Sequence, residues 1–323
     1  MRMQSAFNLA RRSARSRASI LATLLALGFT ACNSDELTTP TKEETGTTTD
    51  VVEDVADETV TAVETPSLSA TFAGGIPMGH FDQPITAFGS VSNGAKMNIV
   101  PGDLLSYLSA IRARGGKVVL MLAGSNRYYK DGNGHFDLGK WKSRVSRYKG
   151  INISSYITNG TIIGHYLMDE PNDPSNWNGI PVSSATVDEM ARYSKSIWGS
   201  MATIVRTEPA YFKSRHPRYL DAAWAQYVTR KGTASDYIRR NVSDAQQVGV
   251  ALVVGLNISK GGNNRTRMTP TQVKNFGLTM LSSSYPCAMI NWQYGSYTST
   301  SSYTTALRSL RAKAQNRSSK SCR

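Results

Sequence analysis

The sequence predicts an α/β fold, a (β/α)8 barrel of the TIM type, regular or irregular, over residues 71–323. Three observations predict it. Buried-strand patterns alternate with helical ones along that whole stretch, with no long run of strands, which argues for a parallel sheet covered by helices. Each strand tip carries polar or aromatic residues, as a closed ring of loops around one mouth requires. No glycine-rich fingerprint follows the first strand, which counts against a dinucleotide-binding sheet.

Residues 75–81 (GIPMGHF) are the first predicted strand, with His80 and Asp82 at its tip. Residues 101–115 read as a helix: Leu104, Leu105, Leu108 and Ile111 share a face, Asp103 lies in the first turn, and paired glycines stop it. Residues 117–123 (KVVLMLA) are a strand that opens into a loop, 124–134, rich in Gly, Asn and Tyr. Residues 141–157 are mostly helical. The next strand is the apolar run 161–168, which ends abruptly in Asp169, Glu170 and Pro171. Such a run suits a strand buried on both faces, and the proline stops it because it has no N–H to give a ladder.

A helix over 184–198 follows, then a strand over 202–205 running into Thr207-Glu208-Pro209. The strand AAWAQYV begins within the region 219–227, and 235–247 is a helix. The run 249–258 (GVALVVGLNI) is a buried strand, 270–281 a helix, 288–294 (AMINWQY) a strand and 302–314 the closing helix. These make seven strands; an eighth is either residues 96–100, directly before the first helix, or missing.

The front of the chain is different. Arg2, Arg11, Arg12, Arg15 and Arg17 precede an apolar stretch, 20–29, too short to span a bilayer. Residues 1–31 therefore read as an export signal. Phe29-Thr30-Ala31-Cys32 resembles the lipobox of bacterial lipoproteins, with Phe where Leu is usual. The resemblance implies a lipidated Cys32 and an exported protein anchored to a membrane of the bacterial envelope. Residues 32–70 hold ten acids against Lys42 and no aromatic residue, so they are expected to form a disordered tether.

The barrel segment carries 31 Lys plus Arg against 13 Asp plus Glu, a net of +18. That balance favours anionic partners, but a solvated basic surface of an exported protein accounts for it better. The basic residues are spread along the chain and no nucleic-acid motif accompanies them, so nucleic acid is not an expected partner. With Cys32 set aside, Cys287 and Cys322 remain as an even pair for an oxidising compartment, and a disulfide tying the tail to a late strand is expected. The four histidines and the cysteines lack metal-ligand spacing, and neither a metal nor a cofactor is expected. The chain is read as a monomer.

A closed barrel gathers its strand tips at one mouth. The candidates there are His80 and Asp82; Asn126 and Tyr128, beside Ser125 and Arg127; Asp169 and Glu170; Arg206 and Glu208; Gln226 and Tyr227; Asn257 with Lys260; and Trp292, Gln293 and Tyr294. Carboxylates, amides and aromatic rings are what a sugar cleft needs, since rings stack on pyranose faces while polar groups bond the hydroxyls. Only three glutamates occur in the segment, Glu170, Glu189 and Glu208. Glu189 falls in the first turn of a helix, where the dipole accounts for it. Glycoside hydrolysis needs two carboxylates across one bond. Glu170 is the better acid, because an apolar rim favours a protonated carboxyl. Glu208 is the partner, with Asp169 and Asp82 as alternates; the competing reading has Glu208 paired structurally with Arg206 or Arg215.

The stretch Tyr166-Leu167-Met168-Asp169-Glu170-Pro171 resembles the strand-four motif of retaining barrel glycosidases, which ends in Asn-Glu-Pro with the Glu as acid/base. The resemblance implies that role for Glu170. Asp169 then stands where those enzymes have the Asn that contacts the sugar 2-hydroxyl. Residues 288–294, with Trp292 near the end, resemble the last strand of chitinase-like barrels, where a tryptophan floors the subsite beside the scissile bond. The chitinase Asp-Gly-x-Asp-x-Asp-x-Glu motif is absent, and Asn257 and Gln293 stand where a late-strand glutamate would serve. The expected function is hydrolysis of a poly- or oligosaccharide by carboxylate acid/base catalysis. The alternatives are a carbohydrate-binding barrel without its second carboxylate, and a basic structural lipoprotein of the envelope.

Overall fold

The computed structural model describes residues 75–323. The export signal, Cys32 and the acidic tether lie outside the described residues. Eight strands close into one parallel barrel in sequence order. They are β1 (Met78–Phe81), β2 (Gly94–Met97), β3 (Lys117–Leu120), β4 (Ile162–Asp169), β5 (Thr203–Arg206), β6 (Ala222–Tyr227), β7 (Ala251–Leu256) and β8 (Ala288–Asn291). Seven α-helices of the described residues accompany them: α1 (Leu104–Ala113), α2 (Leu138–Ser146), α3 (Ser154–Thr158), α4 (Ser184–Ile197), α5 (Ala234–Val248), α6 (Pro270–Ser282) and α7 (Ser301–Gln315).

The eighth strand exists, but it starts earlier than 96–100. Its register is set by a glycine pair, Gly79 of β1 opposite Gly94 of β2. A Cβ on Gly79 would lie 1.6 Å from the Gly94 carbonyl oxygen, so the two backbones approach too closely for a side chain there. Residues 141–157 are not one helix. Gly150, at φ 87°, and an irregular stretch separate α2 from α3. The last strand also stops at Asn291, short of residues 292–294. Local sequence marks the other boundaries: Ser183 and Thr233 accept the N-cap bonds of α4 and α5, Thr269 and Gln272 form a capping box on α6, and Gly249 ends α5 in the left-handed region.

Strand alternation divides the apolar residues into two cores. Side chains on the outer strand faces pack against the helices and include Val118, Leu120, Leu167, Val205, Val254 and Met289. Those on the inner faces fill the barrel: Val119, Tyr166, Ile204, Trp224, Val253 and Ile290, with Phe81 and Trp292 toward the mouth. At the opposite end Cys287 and Cys322 are joined by a disulfide, S–S 2.07 Å, and pack among the inner residues as part of the barrel floor. The interior is thus solid below the mouth, and any site must be built on top of it. Among the described residues no helix is long and apolar enough to cross a membrane.

Candidate active site at the barrel mouth

The centre of the mouth is Arg206, the last residue of β5, which is buried. Its backbone is in register with Asp169, the last residue of β4. Its Nε donates to Asp169 Oδ1, one of its terminal nitrogens lies 3.2 Å from Glu170 Oε1, and the same nitrogen donates to Gln226 Oε1 on β6. Tyr166 Oη donates to the same Asp169 oxygen at 2.7 Å. The guanidinium also lies over the Trp292 ring, 5.6 Å from its centre. Burial works against the Arg206 charge, yet the Asp169 and Glu170 carboxylates outweigh it and raise its pKa. Burial and the neighbouring Asp169 charge together keep the Tyr166 phenol protonated.

Glu170 sits just beyond, with φ at 38°. A side-chain-bearing residue rarely adopts that left-handed region, and such strain collects where a side chain must be aimed. The surroundings hold it there. The Glu170 N–H bonds the Arg206 carbonyl at 3.0 Å, and its own carbonyl accepts from the Asp173 N–H at 3.1 Å and the Trp177 indole at 3.2 Å.

Two cavities open at the strand ends. The first, about 390 Å³, is lined by Glu170, Glu208, Arg206, Trp224, Gln226 and Tyr211, with Asn172 and Lys231 at its edge. The second, about 350 Å³, is lined by Asp82, Lys96, Asn126, Tyr166, Asp169 and Trp292. Arg206 lines one and Asp169 the other, so their ion pair forms the partition. Within the first cavity's wall the Trp224 indole N–H and the Gln226 amide N–H have no hydrogen-bond partner. A buried donor left unmade costs about 1–3 kcal/mol, so both are suited to a ligand oxygen. In the second, Lys96 is buried, its Nζ 3.1 Å from Asp82 Oδ1 and over the Phe81 and Tyr166 rings at 5.0 and 5.7 Å.

The expected residues thus divide. Glu170, Glu208 and Gln226 meet in one cavity; Asp82, Asn126, Asp169 and Trp292 meet in the other. Asn126 also accepts the Tyr129 hydroxyl at 2.6 Å. His80 and Tyr294 do not face the mouth; they line a separate cavity against α7. Tyr227 points away as well: it packs on Tyr237 and Phe276, each 5.2 Å off, and its hydroxyl bonds the Gly232 carbonyl. With Trp224 and Gln226 facing in, strand parity turns Tyr227 out. Asn257 is spent on its own loop, accepting from the Lys260 N–H at 2.9 Å. Tyr128 lies on the surface between Arg127 and Arg144. Gln293, joined to Trp292 by a cis peptide bond, lines neither mouth cavity.

Three expectations about the glutamates change. Glu170 is not in a dehydrated pocket; its side chain is 44% exposed beside Arg206. Glu208 pairs with neither Arg206 nor Arg215 but with Lys231 at 2.5 Å and Arg240 at 3.9 Å. Glu189 lies beyond the first turn of α4, where Arg192 and Lys142 bond it and draw its pKa down to about 2. Several mouth residues were not singled out from sequence as ligand-facing, Lys96, Trp224, Lys231, Tyr211 and Asn172 among them. Lys96 was visible as a lone charge in an apolar strand, and Trp224 by its alternation with Gln226. Lys231 had no local signal. Among the described residues no cluster of His, Cys, Asp and Glu is grouped to hold a metal ion.

No protein-family model matches the chain, and no curated protein matches it. Solved structures do. A GH5_18 protein from Bifidobacterium longum subsp. infantis superposes with a TM-score of 0.53 at 8% identity, over 76% of this chain and 81% of that one. A GH18 chitinase from Pseudoalteromonas aurantia superposes with a TM-score of 0.50 at 10% identity, over 73% of this chain and 99% of that one. At such identities the likeness is one of fold: this chain is a closed parallel (β/α)8 barrel, as those glycoside hydrolases are.

Proposed function

We propose that the mouth binds a poly- or oligosaccharide and hydrolyses it, with Glu170 as general acid and Glu208 as the second carboxylate. One observation carries this reading: the two glutamates, from successive strands, line a single cavity with Trp224, Tyr211 and Gln226. Glycosidic cleavage needs that combination, two carboxylates flanking the bond and aromatic and amide groups to hold the ring. Lys231 holds the Glu208 carboxylate in place, and the Glu170 backbone is fixed by three hydrogen bonds. Trp292 and Asp169 line the neighbouring cavity as an adjoining sugar subsite.

A second reading, a carbohydrate-binding barrel without turnover, is favoured by a different observation. Every mouth carboxylate already has a cation: Asp82 has Lys96, Asp169 and Glu170 share Arg206, and Glu208 has Lys231. Incubation of wild type and Glu170→Gln with an array of glycans separates the two. Product from wild type, with turnover down about 10²–10⁴-fold in the variant and binding retained, supports the enzyme. Binding without product from either supports the binder, and equal turnover by both rejects the role given to Glu170.

We further propose that the protein is exported, monomeric and lipid-anchored through Cys32 in a bacterial envelope. The basic start, the lipobox-like Phe29–Cys32 stretch and a pair of cysteines suited to an oxidising compartment support this. Metabolic labelling with a palmitate analogue should mark wild type and leave Cys32→Ala unlabelled. Label on both would reject the anchor.

A further inference from the structure

A cavity of about 410 Å³ lies outside the barrel wall, between the loop after β1 and the start of α7. Phe81 turns into the barrel, whereas His80, one residue earlier, turns outward and shares this cavity with Thr304 and Leu307 of α7. On the other side, past the end of β8 at Asn291, the chain no longer follows strand alternation: Trp292 lines the mouth and Tyr294, two residues on, lines this cavity. The seam between β1 and the segment after β8 therefore separates two adjacent recesses. The Tyr294 N–H bonds the Phe81 carbonyl at 3.0 Å and keeps the seam closed.

Two buried side chains in this wall have polar atoms without partners, His80 Nε2 and Gln83 Nε2. The Gln83 amide is oriented by its other end. Its Oε1 accepts from the Ser92 hydroxyl at 2.8 Å and from the His80 N–H at 3.2 Å, which leaves both N–H donors unused. Burial lowers the His80 pKa to about 4, only partly opposed by Gln83, so the ring is neutral near pH 7. The rest of the lining supplies the hydroxyls of Thr86, Ser90, Thr298 and Ser299 among small and apolar residues, with no charged side chain anywhere in it. In a segment of net charge +18, an uncharged recess walled by hydroxyls, one amide, one neutral imidazole and a tyrosine ring selects against ions. Charged groups gain nothing there, whereas hydroxyls find donors and acceptors in every direction.

From the two unpartnered nitrogens and the uncharged, hydroxyl-rich wall, we infer that this cavity is a second ligand site, for a neutral polyol of about one hexose ring, distinct from the mouth. His80 Nε2 and Gln83 Nε2 bond ring hydroxyls, and Tyr294 covers an apolar ring face. A glycan chain crossing the β1–β8 seam is able to occupy both recesses at once. The side site also takes a free sugar when the mouth is disabled.

The test uses the whole folded domain with Trp292→Ala, which removes an aromatic wall of the mouth. Saturation-transfer NMR is recorded with glucose, galactose and N-acetylglucosamine, and with glucuronate as the charged control. At least one neutral sugar should bind, and glucuronate should bind at least tenfold more weakly than glucose. Adding Ser90→Trp, at an exposed rim position, should weaken neutral-sugar binding at least tenfold; Gln83→Leu should do the same. Ser90→Trp leaves the core untouched, so the result stands even if Gln83→Leu fails to fold. Absence of binding by all three neutral sugars, binding indifferent to Ser90→Trp, or equal binding of glucuronate each overturns the site. None of these outcomes depends on whether the mouth cleaves a glycan.

Discussion

Arg206 ends β5 and reaches sideways to Asp169 at the end of β4, donating to the carboxylate oxygen that also receives the Tyr166 hydroxyl. This pair separates the two cavities of the mouth and also touches Glu170, Gln226 and Trp292. Whatever binds at the mouth must fit around it.

Removing the guanidinium tests that role. Arg206→Met should lower the unfolding free energy by about 3 kcal/mol, since it leaves Asp169 and Gln226 without their buried partner. Arg206→Lys should recover only part of that loss, because a single ammonium cannot reproduce the fork that reaches three side chains. Urea unfolding measures both. A loss below about 1 kcal/mol for the methionine variant would make the pair incidental.

Glu208 and its cation give a second comparison. Glu208→Gln should reduce glycan turnover about 10²–10⁴-fold if it serves as the second carboxylate. Lys231→Met should reduce it less than tenfold. Both partners are about a third exposed, so each variant should cost less than about 1 kcal/mol of stability. Equal effects of the two variants on turnover would assign Glu208 to structure.

Stability should fall on acidification through two histidines. His165, stacked on Trp141 with Nδ1 bonded to the Ser194 hydroxyl, and His80 have pKa values lowered by burial to about 3 and about 4. The unfolded chain binds protons at these groups below about pH 6.5 while the folded chain does not. Their contribution is therefore complete above pH 6.5 and is lost as pH falls toward 4 and 3, at about 1.4 kcal/mol per pH unit for each group. Urea unfolding at pH 7, 6 and 5 should show this slope, and His165→Gln should reduce it by about half. An unchanged slope in the variant would refute the assignment.

The floor disulfide closes a 35-residue separation between Cys287 and Cys322. Cys322→Ser should lower stability by about 3–4 kcal/mol on chain-entropy grounds. Thermal unfolding with and without reductant checks it: wild type should shift downward in reductant and the variant should not. A shift shared by both would place the reductant's effect elsewhere.

Much of this architecture was readable in one dimension. Seven strands and most helices announced themselves because periodicity and caps are local properties of the chain. The eighth strand was blurred at Gly94–Met97, since a four-residue strand starting on glycine and containing a lysine has almost no apolar pattern. Tyr227 was placed in the mouth because it ends a strand, although parity from Trp224 and Gln226 already turned it outward. His80 was misplaced for the same reason: a strand tip has two faces, and only one of them looks into the barrel. Tyr294 was misplaced because β8 stops at Asn291 and the chain beyond it leaves the strand path.

The sequence by itself determined the order of strands and helices, and with it that Asp169, Glu170, Arg206 and Glu208 emerge at one end of a closed parallel barrel. The tertiary structure alone decided their partners. Arg206 meets Glu170, and Lys231, 23 positions downstream, meets Glu208. Periodicity specifies which way a side chain leaves its own strand. Which charge it meets depends on register between strands and on the paths of loops, and both are fixed only when the barrel closes.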